Sequence, residues 1–290
     1  MMLRRVIVAM TVVVAAGCGR DVNVTLEKVS EARQFSAGLL VQFTKTADAT
    51  NRAVMADTDE TSVTFAKEAD AAAAAVQKDV DSLAPILGTL GYSDETRLLD
   101  EFKSRFGEYR ALDQRILDLA VENTNLKAQR LAFGPAQDAA NAFRDALKSI
   151  VPASPANAWH VDALVAEAVT TVREIQVLQA PHIADADEAV MTRMEKQMAT
   201  SEMSARRALE SLRPLAAPAS TPKLSAAGAA LTRFMDLNAQ IITLSRRNTN
   251  VRSLALSLDQ KRKLTESCEE SLHALQTALA KRGYSGIREH

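Results

Sequence analysis

Apolar and polar positions recur with helical spacing along most of this chain. Phe102, Phe106, Tyr109, Leu112, Ile116 and Leu119 fall three or four residues apart, the stripe of a helix that buries one face in a bundle. The same period predicts a first helix over residues 24–56, stopped by the polar run DTDET. A second starts near Asp59, whose carboxylate can cap free N–H groups, and runs to about residue 87. Its interior, ADAAAAAV, offers small side chains that let a neighbouring helix approach closely. A third helix follows GYSDE.

The third stripe then meets Asn123-Thr124-Asn125, and the same triplet returns at Asn248-Thr249-Asn250. A buried Asn can fix register at a cost in stability, so a continuous helix is one reading. Helix length favours a turn instead. A break at the triplet leaves a fourth helix over 125–151, roughly 40 Å long at 1.5 Å per residue and matched to its partners. Asn tolerates the left-handed conformation at a helix end, and Thr or Asn can cap the next N-terminus. On that reading, Leu in place of Asn123 or Asn248 costs little. Gly134-Pro135 predicts a kink inside the fourth helix, because an interior proline loses a hydrogen bond and clashes with the preceding turn. The corresponding stretch LSLDQKRK has no proline.

The triplet belongs to a duplication. With a shift of 125, Leu99, Leu112, Ile116, Leu119 and Leu131 meet Leu224, Leu237, Ile241, Leu244 and Leu256. Upstream the shift is 129, and Val80, Leu83 and Pro85 meet Leu209, Leu212 and Pro214. The change of register falls between GTLGYSDET and APASTP, where an insertion belongs in a turn. The expected fold is all-α: two tandem antiparallel four-helix bundles with up-down-up-down topology, over residues 24–151 and 158–283. Residues 152–157 form a proline-containing linker and 284–290 a tail. The second repeat's first helix is expected to stop at Gln179, ahead of Pro181.

The N-terminus is patterned differently. Arg4 and Arg5 precede an apolar stretch over residues 6–16, then AAGC. That stretch rises only about 16 Å, short of a ~30 Å hydrocarbon core, so a cleaved export signal over 1–17 fits better than a membrane span. The sequence around Cys18 resembles a bacterial lipobox, which implies a lipidated Cys18 on a tether over 18–23, with Ala15 standing where Leu is most usual. Gly19 is not the Asp associated with inner-membrane retention. The implied address is extracytoplasmic, held to the envelope by lipid, with the outer membrane favoured. The one other cysteine, Cys268, lies on an apolar spacing with Leu264, Leu272, Leu275 and Leu279 and reads as a buried structural thiol.

Composition narrows the function classes. Net charge is -1 and aromatics are 4% of residues, with no basic stripe interleaved with aromatics, which argues against nucleic acid as a partner. Signatures for haem attachment, zinc hydrolysis, a nucleophile elbow, a phosphate loop or a di-iron bundle are missing, so no cofactor, metal or catalytic residue is assigned.

The stretches ATNRAVMADTDETSVTFAKEAD and LLDEFKSRFGEYRALDQRILDLAVENTNLKAQRLAFG, with shorter counterparts in the second repeat, resemble the four-helix-bundle sensor domain of bacterial chemotaxis receptors. The resemblance implies a sensor-like module, taken as two copies. A receptor's second membrane span and cytoplasmic coiled coil have no counterpart in this sequence. It also implies recognition of a small anionic metabolite, although the family's ligand arginines match no position here.

Up-down topology gathers the triplets and the helix 1–2 turns at bundle ends. The candidate ligand residues are therefore Asn51, Arg52, Asn123, Asn125, Arg246, Arg247, Asn248 and Asn250, with arginine able to clamp a carboxylate. Capped helix ends and weak surface ion pairs are the bland account of the same residues. His182, Asp185 and Asp187 are a weak metal candidate on a turn, and Trp159 is expected to pack at the junction of the repeats. The expected activity is binding without chemistry, to a small anionic ligand or a protein partner, with the lipid contacting the membrane and a homodimer open. A structural envelope lipoprotein acting through helix association is the alternative.

Overall fold

The computed structural model describes the backbone of residues 18–285 and the side chains of residues 24–282. The signal segment, the Cys18 side chain and most of the tail lie outside the described residues. The protein is all-α. Its helices are α1 (Cys18–Val54), α2 (Asp59–Leu90), α3 (Ser93–Glu122), α4 (Thr124–Leu131) and α5 (Gln137–Lys148). They continue with α6 (Ala158–Ala184), α7 (Glu188–Leu212), α8 (Thr221–Arg247), α9 (Thr249–Leu256) and α10 (Arg262–Ser285). Among the described residues no helix is long and apolar enough to cross a membrane.

Burial follows the duplication position by position. Ala32, Leu39, Phe43 and Thr50 of α1 are buried, and so are Val161, Ala168, Val172 and Gln179 of α6, each 129 residues later. Phe102, Phe106, Tyr109, Asp113 and Ile116 of α3 are buried with Ala227, Leu231, Phe234, Asn238 and Ile241 of α8 at a shift of 125. The two repeats therefore present the same helix faces to their cores.

The cores do not close within the repeats, however. The described residues form two compact units, one built from α1 as far as Asp48, Glu68–Ala111 and α10, the other from Ala49–Lys67 and Leu112–Lys261. In the first, Leu39, Phe43, Val76, Leu83, Phe102 and Tyr109 pack with Cys268, Leu272, Leu275 and Leu279 of α10. The Phe43 ring stands edge-on to Phe102, Phe106 and Tyr109, at 6.2, 6.2 and 5.0 Å between centroids. Arg105 donates to Ser267 O and Ser271 Oγ, and Arg33 to Leu279 O, fastening α10 into the set.

In the second unit, Ala128, Ala136, Phe143 and Leu147 of α4–α5 pack with Val172 and Ile175 of α6, Met198 and Leu212 of α7, and Leu231 and Phe234 of α8. Residues 124–247 are thus an up-down-up-down bundle made of repeat one's fourth helix and repeat two's first three. The division into bundles over 24–151 and 158–283 is corrected: the fourth helices are exchanged between repeats. An apolar stripe on a fourth helix suits either three-helix set, so the pattern fixes that it is buried but not where.

Residues 152–157 accordingly connect two helices of one bundle. Pro152 and Ala216 form an isolated antiparallel bridge, with Ala153 N–H donating to Leu215 O and Ala217 N–H to Val151 O, both at 2.8 Å. Trp159 does not pack at a junction; it is 71% exposed, stacked on His160. Pro181 does not stop α6, which continues to Ala184.

The Pro135 kink takes the form of a π turn over Ala132–Ala136. Repeat two has the same π turn over Ser257–Lys261, 125 residues later and without a proline. The distortion is therefore a property of the repeat. It absorbs the proline in one copy and turns Lys261 into the core in the other.

Candidate functional site

The triplets sit where each chain segment leaves one helix for the next. Asn123 has φ 52° and ψ 39°, and Asn248 has φ 52° and ψ 40°; these are the only non-glycine residues with positive φ among the described residues. Asn is the side chain that adopts this conformation at least cost, so its use at both places follows from backbone geometry. The helix break expected there is present. The chain does not fold back onto its own repeat, because α4–α5 joins α6–α8.

The cap expected at each following helix comes from the other triplet. Thr249 Oγ1 accepts from Thr124 N–H and Thr124 Oγ1 accepts from Thr249 N–H, both at 3.1 Å. Asn250 Oδ1 accepts from Asn125 N–H and Asn125 Oδ1 accepts from Asn250 N–H, again at 3.1 Å. Asn125 Nδ2 donates to Asn248 Oδ1 and Asn250 Nδ2 to Asn123 Oδ1, both at 2.8 Å. Each residue i that touches j is matched by j touching i, the signature of a two-fold interface, here inside one chain. Each triplet supplies the N-terminal caps that the other helix would otherwise lack.

This clasp is buried and tied to the corner between α6 and α7. Asn125 Nδ2 also donates to Ile183 O at 2.6 Å, and Asn248 Nδ2 to Asp185 O at 2.7 Å. Asn123, Thr124, Asn125, Asn248 and Thr249 are all buried. Two-fold equivalence ends at these outer bonds: Asn123 Nδ2 is buried with no acceptor where Asn248 Nδ2 has Asp185 O, and the Asn125 bond to Ile183 O has no counterpart at Asn250.

The other candidates are also engaged. Asn51 Oδ1 accepts from Lys261 Nζ at 3.1 Å and Ser257 Oγ at 3.2 Å, while the Lys261 ammonium lies 3.6 Å from the buried Asp113 carboxylate. Arg52 lies over the Phe65 ring, 3.9 Å from its centroid. Arg247 pairs with Glu122. Arg246 grips Glu195 through Nε at 2.7 Å and Nη2 at 3.0 Å, and Nη2 also donates to Thr192 Oγ1. The structure brings the four asparagines together, yet as partners of one another rather than as two open sites.

Sequence reasoning missed the role of His182. It is fully buried on α6, with Nδ1 2.6 Å from Ser245 Oγ and Nε2 2.8 Å from Glu195 Oε1. The Arg246 guanidinium, foremost, and His182 hold the Glu195 carboxyl below the usual carboxylate range against the opposing effect of burial. Ser, His and Glu in a row have the chemistry of a nucleophile–base–orienter chain. Ser245 is completely buried, so its hydroxyl offers no point of attack and the row serves to tie α6, α7 and α8. Asp185 and Asp187 cap the corner: Asp187 Oδ1 accepts from Ala189 N–H and Val190 N–H. Reading Pro181 as a helix stop hid this network, because it placed His182 on a turn.

Two grooves flank the outer face of α6. One, of ≈ 390 Å³ between α5 and α6, is lined by Gln137, Asn141, Arg144, Arg173 and Gln176. The other, of ≈ 670 Å³ between α6 and α7, is mainly apolar and lined by Arg173, Val177, Leu178, Lys196 and Ser201. Among the described residues no group of three His, Cys, Asp or Glu could hold a metal ion. No protein-family model matches this chain, and no curated protein matches it.

Proposed function

We propose that this chain is a lipid-anchored, extracytoplasmic helical protein that binds through the outer faces of its bundles and performs no chemistry. The observation that carries the reading is the fate of the polar residues at the helix breaks. The four triplet asparagines are engaged with one another and Arg246 with Glu195, while the exposed Asn51, Arg52 and Arg247 each have a partner within the protein, which favours recognition through exposed helix faces and grooves. The anchor rests on Arg4, Arg5, the apolar stretch and Cys18 in AAGC. The sensor-like character rests on the chemoreceptor resemblance and belongs to the same proposal.

A second reading, recognition of a small organic anion, is favoured by the groove between α5 and α6, where Arg144 and Arg173 stand among three side-chain amides. Thermal-shift screening against organic acids, amino acids and metal ions, run beside affinity co-purification, separates the two. A stable protein complex with no thermal shift supports binding through helix faces. A shift that disappears in Arg173→Ala gives the small-anion reading instead. Radioactive fatty acid should label the protein, and Cys18→Ser should abolish the label; unchanged labelling overturns the anchor.

A further inference from the structure

The outward face of α6 is unusual for a surface helix. Its exposed positions include Trp159, Ala163, Ala166, Thr170, Arg173 and Val177, spaced alternately four and three apart, and the next step reaches exposed Ala180. Trp159 is 71% and Val177 72% exposed. This is a heptad seam on the side of the helix opposite its core face, with Trp159, Ala163, Ala166 and Val177 beside the polar Thr170 and Arg173 and flanked by exposed Glu167 and Glu174. The duplication supplies an internal control. At the equivalent positions 129 residues earlier, α1 exposes Ser30, Gln34, Thr44 and Asp48 where α6 carries Trp159, Ala163, Arg173 and Val177, while Ala37 matches Ala166 and Val41 stands where α6 has Thr170. The exposed apolar side chains at the two ends of this face, Trp159 and Val177, are particular to α6.

We propose that the α6 seam docks against the α6 seam of a second copy of this chain, antiparallel, about a two-fold axis at Thr170. This arrangement follows from size and charge. Antiparallel pairing centred on Thr170 sets Ala163 opposite Val177, brings Ala166 between Arg173 and Glu174 and Trp159 between Ala180 and Pro181, so the large seam side chains meet small ones. It also brings Arg173 of one copy beside Glu167 of the second copy, and the two-fold axis makes that pair twice. Both residues are exposed within the single chain. Alanines at the seam let two helix backbones come close, and the grooves on either side of the Arg173–Val177 ridge, ≈ 390 Å³ and ≈ 670 Å³, receive the flanking side chains of the second copy as knobs enter holes. A parallel pairing sets Arg173 against Arg173 and Trp159 against Trp159, which crowds and repels.

The proposal rests on binding through helix faces and names one partner for it. Thr170→Cys in the full chain, oxidised with copper phenanthroline in the cells that make it, should give a disulfide-linked dimer on a non-reducing gel. Val41→Cys, at the equivalent exposed place on α1, should not. By sedimentation of the detergent-solubilised full chain, Val177→Glu should weaken self-association about tenfold, by placing a charge against Ala163. Arg173→Glu and Glu167→Arg should each weaken it, and the double variant should restore it. Cross-linking of Thr170→Cys no greater than that of Val41→Cys overturns the proposal, as does a double variant no tighter than the singles. Co-purification of a different protein without self-cross-linking also overturns the second copy as partner, while leaving the reading of the preceding section standing.

Discussion

Asn125→Ala tests whether the asparagine triplets are a structural clasp or a simple turn. The side chain accepts from Asn250 N–H at 3.1 Å and donates to Asn248 Oδ1 at 2.8 Å and to Ile183 O at 2.6 Å. Truncation removes three hydrogen bonds and leaves a helix N-terminal N–H, an amide oxygen and a carbonyl without these partners in a buried place. At about 1–1.5 kcal/mol for each bond lost, the expected cost is about 4 kcal/mol. That is a large fraction of a typical 5–15 kcal/mol domain stability. Asn141→Ala is the control: Asn141 accepts from Gln137 Nε2 in an exposed pair, so its loss should cost within about 0.5 kcal/mol. Urea unfolding followed by circular dichroism at 222 nm gives both values, and amide exchange at Asn250 reports the clasp directly. Because the partners are shared, Asn125→Ala and Asn250→Ala should be non-additive by more than about 0.5 kcal/mol. A cost for Asn125→Ala below about 1 kcal/mol, or equal to that of Asn141→Ala, refutes the clasp and returns the triplet to a solvated turn.

Further outcomes follow from the same geometry. Lys261→Met leaves the buried Asp113 carboxylate without the ammonium 3.6 Å away and should destabilise by about 3 kcal/mol, with Asp113→Leu added to it recovering much of the loss in a double-mutant cycle. Arg282 holds Glu95, and Arg246 holds Glu195, below the ordinary carboxylate range. A carboxyl lowered in the folded state stabilises above its unfolded value and loses that contribution as pH falls through the folded one. Stability should therefore decline in acid below about pH 4.3, and Glu195→Gln should flatten that decline in a pH series of melting curves. Burial pushes the Cys268 thiol up to about 12, so a thiol reagent at pH 8 should label it at the rate of unfolding; rapid labelling of the native protein contradicts the packing of α10.

The left-handed asparagines show how a correct local reading can give a wrong connection. Asn123 and Asn248 end helices as their residue type and spacing foretell. A single left-handed residue also sets the direction in which the chain departs, and that depends on which three-helix set offers the better fit to the next stripe. Phe143 and Leu147 of the first repeat, like Leu272 and Leu275 of the second, are apolar at the right period for either core. The candidate site suffered in the same way. Sequence placed Asn123, Asn125, Asn248 and Asn250 at helix breaks, where they are, but assigned them to two separate ends. It did not reveal that Asn125 faces Asn250 across a two-fold relation, since no local signal encodes a partner 125 positions away.

By itself, then, the sequence determined what is periodic: the helices, the buried face of each, the duplication and the two places where a helix must break. Those follow from spacing and backbone preference, which act within a few residues. Only the tertiary structure decided which fourth helix completes which core, that the two π turns are equivalent with and without proline, and that His182 is a buried tie between Ser245 and Glu195. Each of those depends on how closely distant side chains fit and whether buried polar groups find partners, and that fit exists only once the helices have been brought together.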